Sequence, residues 1–188
     1  MARIKSSEKR AAILQAAVHE IAEAGLSAST AKIARRADIA SGTLFTYFAS
    51  KEELLNELYL ALKIEVYTRV NADFPHAGSL ERRTKHIWKS YLDWAIEFPG
   101  RRKVSVQLNV SDLITAETRA KTAPQRELIE STLGELDAGV ALAGMPAGFA
   151  ASVMAAMQEA TMEWIARLPR QREELTDRGF EIFWRAVR

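Results

Sequence analysis

The stretch "TAKIARRADIASGTLFTYFASKEELL", Thr30 to Leu55, decides the fold. Ser29 or Thr30 can cap a short helix that puts Ile33, Ala34 and Ala37 on one side. A break at Asp38 separates it from a second short helix, from about Ser41 to Phe48. A longer helix then begins at Ser50, where Ser50 and Glu53 form an S-x-x-E capping box. Two short helices joined by a tight turn and braced by a longer first helix make a helix-turn-helix, whose second short helix can lie in the major groove of DNA.

The side chains agree with that arrangement. Ile39, Leu44 and Phe48 have the spacing to pack inward with Ile33 and Ala34, while Ser41, Thr43, Thr46 and Tyr47 fall outward. Hydroxyls and an amide-exposing glycine can meet base edges and phosphates, and an aromatic ring can meet a thymine methyl or a sugar. Lys51, in the first turn of the next helix, can hold a phosphate. The segment therefore needs little charge: hydrogen-bonding groups read bases, and a few cations at the margin hold the backbone.

Working outward, Ser6 or Ser7 can cap the first helix, with Ile13, Ala17, Ile21 and Ala24 as its apolar stripe and Gly25 as its left-handed end. Residues 1 to 51 hold eight bases against four acids, a balance of +4 within a chain of formal net charge +2. Positive potential is concentrated at that end, where a nucleic-acid partner is expected. Arg3 and Lys5 could extend it as a basic arm or a tail.

The 188 residues, 48% hydrophobic, suffice for a real core. The absence of cysteine excludes a disulfide framework and a thiolate site and fits a reducing compartment, with cytoplasm the expectation. No export signal is read at the start, "MARIKSSEKR", because it lacks an apolar core. Ala138 to Gln158 is uncharged and long enough to span a bilayer, but Gly139, Gly144, Pro146 and Gly148 interrupt it, so a helix end, a turn and a buried helix are expected.

With these residues in view, Thr30 to Leu55 resembles the DNA-binding signature of the TetR family of bacterial transcriptional regulators. Ile33-Ala34, Ala37, Gly42-Thr43-Leu44, Tyr47-Phe48 and Ser50-Lys51-Glu52-Glu53-Leu54 all fall in register. The resemblance implies base-edge or sugar contacts from Ser41, Gly42, Thr43, Phe45 and Thr46, and phosphate contacts from Thr30, Tyr47 and Lys51. Three positions depart from the pattern. Asp38 replaces a turn glycine, Ala40 a capping serine, and Phe45 a tyrosine. Asp enters the left-handed region more easily than most residues, and without the serine the recognition helix is expected to start from Ser41. Phe45 fits either the core or the DNA face, whereas Phe48 belongs to the core.

The rest reads as helical: about nine helices in an all-α fold, with an N-terminal three-helix head (1–51) joined by a long fourth helix to a helical body (52–188). The expected body helices run from about Leu80 to Phe98, Arg101 to Ser111, Thr115 to Leu142, Ala147 to Leu168 and Arg170 to Val187. The resemblance implies that this body binds a small ligand and dimerises. Trp88, Tyr91, Trp94, Phe98, Leu108, Met154, Met157 and Gln158 are candidates for an aromatic cavity, with Asn109 and Met162 nearby candidates, or they simply make the core. Ala151, Ala155 and Met162, with Leu175, Gly179, Ile182 and Ala186, are candidates for a two-fold, four-helix dimer interface.

An enzyme is not expected. His19, His76 and His86 are too scattered for a metal site, and no nucleophile elbow, phosphate loop or dinucleotide fingerprint occurs. No metal or cofactor is expected. The expected function is a cytoplasmic, nucleoid-associated repressor, a homodimer on a near-palindromic double-stranded operator, released by a small hydrophobic or aromatic ligand, with no membrane partner. The alternative is a helical ligand-binding or scaffold protein whose head contacts another protein. An interaction module would more often present leucine or tryptophan where this chain has Ser41, Thr43, Thr46, Tyr47 and Lys51.

Overall fold

A computed structural model describes residues 2–188, with side chains from Ser7 onward, so the side chains of Arg3 and Lys5 lie outside the described residues. Among the described residues there are ten α-helices and no strand. They are α1 (Ala2–Ala24), α2 (Thr30–Arg36), α3 (Ser41–Tyr47), α4 (Lys51–Asn71), α5 (Leu80–Glu97), α6 (Pro99–Asn109), α7 (Ala116–Ala120), α8 (Ala123–Asp137), α9 (Phe149–Arg167) and α10 (Arg172–Val187). No helix among them is long and apolar enough to cross a membrane.

The chain forms two compact units. One comprises the residues up to Glu65 with Phe98–Ala123, and the other comprises Val66–Glu97 with Pro124–Arg188. In the first, α1 buries Ile13, Ala16, Ala17 and Ile21 against α2 and α6. It ends where Gly25, at φ +74°, donates its N–H to the Ile21 carbonyl, a left-handed cap that a Cβ would strain. α2 ends in the two-bond version of the same device: Asp38 N–H donates to Arg35 O and Ile39 N–H to Ala34 O. Asp38 takes the left-handed position at φ +53°, as its short polar side chain allows.

α4 begins with Ser50 Oγ accepting from Glu53 N–H at 3.1 Å, while the Glu53 carboxylate reaches back to Ala49 N–H at 2.6 Å, one residue before the Ser50 amide that a capping box would pair. Asn56 ties this helix to the turn before α7, donating to Leu113 O and accepting from Thr115 N–H.

In the second unit, α5 packs on α9 and α10. Trp88 is fully buried there, its indole N–H donating to Thr176 O at 3.0 Å and its ring stacked on Phe183. Two expectations fail. α1 begins at Ala2, so Ser6 and Ser7 lie inside it and do not cap it. The single helix over Thr115 to Leu142 is instead α7, α8 and a 3₁₀ turn at Val140–Leu142. Pro124 has no N–H to offer Ala120 O, so the ladder of α7 is interrupted there, and the proline sits instead in the first turn of α8, where no such bond is needed. α8 stops at Asp137, and that carboxylate accepts from Gly148 N–H (2.7 Å) and Ala150 N–H (2.8 Å), capping α9 from outside.

Candidate nucleic-acid interface

α3 is held from beneath and open above. Leu44 and Phe48 are fully buried with Ile33 and Ala34, and Ile39 is half-buried. Ser41, Gly42, Phe45 and Thr46 are exposed, an i, i+1, i+4, i+5 stripe along one helix face, and Ala49, just beyond the end of the helix, is exposed as well. Thr43 and Tyr47 are half-buried beside that stripe. Thr46 Oγ1 donates to Gly42 O at 3.4 Å, which leaves its oxygen able to accept. Ala40 caps α3 in extended conformation with no side-chain bond, and the helix starts at Ser41.

Gly42 has neither a positive φ nor a crowded neighbourhood: a Cβ there would have nothing within 4 Å. A glycine inside a helix costs up to about 1 kcal/mol relative to alanine, so nothing in the packing of the chain accounts for it.

The cations around this face divide into two groups. Arg10 pairs with Glu57 and lies over the Phe48 ring at 5.2 Å. Arg36 donates to Glu20 at 2.6 Å, bracing α2 on α1, and this hydrogen bond holds the Glu20 carboxyl below its ordinary value against the opposing effect of burial. Lys32 and Arg35 stand exposed on α2, and Lys51 and Thr30 are half-buried at the starts of α4 and α2. The hydrogen bond from its own backbone N–H, then the Ser50 hydroxyl, hold the Glu52 carboxyl below its usual range at the start of α4.

His19, Glu20 and Glu23 bring possible ligand atoms within 4.8 Å of one another on α1, a grouping that spacing alone did not single out. Glu20 already accepts from the Arg36 guanidinium, whose charge opposes a cation there.

The aromatic residues of the body are placed differently. Trp88, Trp94, Met154 and Gln158 are buried, and Tyr91 and Met157 half-buried, in the second unit. Gln158 reaches Trp88 O at 3.4 Å, and Tyr91 OH donates to Glu159. Half-buried Phe98, buried Leu108 and exposed Asn109 belong to the first unit. A cleft of about 550 Å³ opens on other residues, among them Tyr67, Arg126, Ile129, Leu133, Gly134 and Ala151. Of the residues expected at a dimer interface, Ala151, Ala155, Ile182 and Ala186 are exposed, Leu175 and Gly179 half-buried, and Met162 buried. Leu175, Gly179 and Ile182 border an apolar groove with Trp164, which is 50% exposed, Ile182 being 60% exposed.

Residues 13–58 match the family model of bacterial regulatory proteins, tetR family. The chain carries the head and the fold of the TetR family. Along its length it is similar to a candidate tetR-family regulator of Shewanella sp. PV-4, with 27% identity and a TM-score of 0.82 over 95% of this chain and 97% of that one. A TetR-family regulator of Marinobacter aquaeolei VT8 superposes with a TM-score of 0.86 at 21% identity, covering 98% of each chain. LfrR of Mycobacterium smegmatis, solved with proflavine, superposes with a TM-score of 0.68 at 21% identity over 96% of this chain and 97% of that one.

Within this TetR head, sequence reasoning passed over Lys32 and Arg35, although their three-residue spacing in a seven-residue helix puts them on one side. It also passed over the capping role of Asp137. That bond joins residues eleven and thirteen apart in sequence, and no local pattern announces it.

Proposed function

We propose that the protein is a homodimeric, sequence-specific DNA-binding transcriptional regulator, a repressor released from its operator by a small molecule. Residues 1–51 are the DNA-reading head, and 52–188 carry ligand binding and dimerisation. The observation that carries the reading is the exposed stripe of α3, with Gly42 leaving room that the chain itself does not use. Ser41, Gly42, Thr43, Phe45 and Thr46 face base edges, while Thr30, Tyr47 and Lys51, joined by Lys32 and Arg35, hold phosphates. The protein acts where the DNA is, in the bacterial cytoplasm, and needs no cofactor.

The exposed Trp164 of α9 and Ile182 of α10, with Leu175 beside them in one apolar groove, supply the surface of a two-fold interface, and Ala155 and Ala186 are exposed elsewhere on the same two helices. The cleft beside Tyr67 and Leu133 has the size and mostly apolar wall of a small-molecule site. The proflavine complex of LfrR supports an aromatic or hydrophobic ligand. Ligand and operator must then weaken each other's binding by the same factor.

Selection from random duplex DNA across a salt series tests the reading. A palindromic consensus is expected, with Tyr47→Ala weakening all sites and Thr43→Ala relaxing particular base positions. No enrichment, or indifference to both changes, would send the search toward a protein partner for the head.

A further inference from the structure

The outward face of α3 is unusual for what it lacks. Residues 39–49 contain no charged side chain and no carboxamide. In the major groove, guanine is read by Arg or Lys, adenine by Asn or Gln, and the cytosine amino group by Asp or Glu. None of these is present. What this face does present is the Phe45 ring, 46% exposed, and Ser and Thr hydroxyls, which bond to any base. The base-edge feature that an apolar surface complements is the C5 methyl of thymine, the major-groove group that is neither donor nor acceptor.

Resting on the DNA-binding reading above, we infer that the operator is recognised through pyrimidine C5 methyl groups packed against Phe45. Each half-site carries thymine at the base pairs under Phe45 and Thr46, with no guanine anchor beneath α3. Gly42 serves this recognition by letting the α3 backbone approach closely enough for the ring to reach the groove floor. Thr46 Oγ1, its hydrogen directed at Gly42 O, accepts from an exocyclic amino group alongside. Because the group recognised is a methyl, 5-methylcytosine opposite guanine satisfies the Phe45 contact as thymine does.

The test uses the full chain and the duplexes enriched from a random pool. Each thymine of a half-site is replaced in turn by deoxyuridine, which removes only the methyl group. At one or two positions the substitution should weaken binding about fourfold, the worth of one buried methyl group, and 5-methylcytosine there should bind more tightly than cytosine. In Phe45→Ala, whose exposed site keeps the head folded, the difference between thymine and uracil at those positions should vanish. Enriched half-sites anchored on guanine beneath α3, or indifference to uracil, would overturn this inference while leaving the DNA reading intact. A uracil effect equally large in Phe45→Ala would also overturn it, by removing Phe45 from the contact. No enrichment of any duplex would remove the DNA reading and this inference together.

Discussion

A Cβ added at Gly179 in α10 would stand 2.6 Å from Thr161 Oγ1 and 3.0 Å from Trp88 Cζ2, whereas one added at Gly42 in α3 would have nothing within 4 Å. The two glycines mark two kinds of surface. At Gly179 the missing side chain lets α10 close on α5 and α9, so the smallness is used inside the chain. At Gly42 nothing in the chain uses it. Absence of a side chain therefore points outward only where no neighbour within the chain fills the space it leaves.

The contrast yields opposite expectations for the same substitution. Gly179→Ala forces a shift of a buried tryptophan and a threonine and should cost about 1–3 kcal/mol of stability, measured by urea unfolding. An unchanged midpoint would show that α10 moves aside freely. Gly42→Ala should leave stability unchanged or raise it by a few tenths to about 1 kcal/mol, while DNA binding weakens by about 1–3 kcal/mol. A loss of stability there would give Gly42 a folding role and erase the contrast.

The cap of α3 sharpens the comparison at smaller scale. Ala40→Ser supplies the missing side-chain acceptor at the start of the recognition helix and should stabilise the head by about 0.5–1 kcal/mol in thermal unfolding. The smallest effect expected is one of pH. Because Arg36 lowers the folded-state value of Glu20, their bond contributes stability above the ordinary carboxylate range and loses it as pH falls through the lowered value. Glu20→Gln should flatten that acid-side dependence, read from unfolding midpoints between neutral and acid pH.

What was legible beforehand was local. Gly25 and Ser50 announced helix ends because a left-handed cap and a hydroxyl cap act within a few residues of themselves. The outward stripe of α3 was legible in part for the same reason, since apolar spacing on one face leaves the other face to solvent. Long-range relations were not. The aromatic run of α5 reads equally as a cavity wall or as core, and only the seating of Trp88 against Thr176 and Phe183 shows what that ring touches. Pro124 is a local break signal set amid otherwise strong helix formers, whose weight in the window outbalances a single proline. Gly179 and Met162 each lie on an apolar stripe whose direction is set by the neighbouring helices, which spacing does not specify.

The bonds from Asp137 to Gly148 and Ala150 have a practical consequence. They pin both ends of the intervening segment, so α8 and α9 are joined through a carboxylate as well as through the backbone. Apart from buried Leu142, the segment between is largely open to solvent, with Val140 94% exposed and Gly144 free of close neighbours. Lengthening a loop costs little entropy once its ends are fixed, so a reporter sequence, a protease site or a new pair of termini can be placed near Gly144. The cross-link that keeps the two helices registered would be left in place, provided Asp137 is left alone.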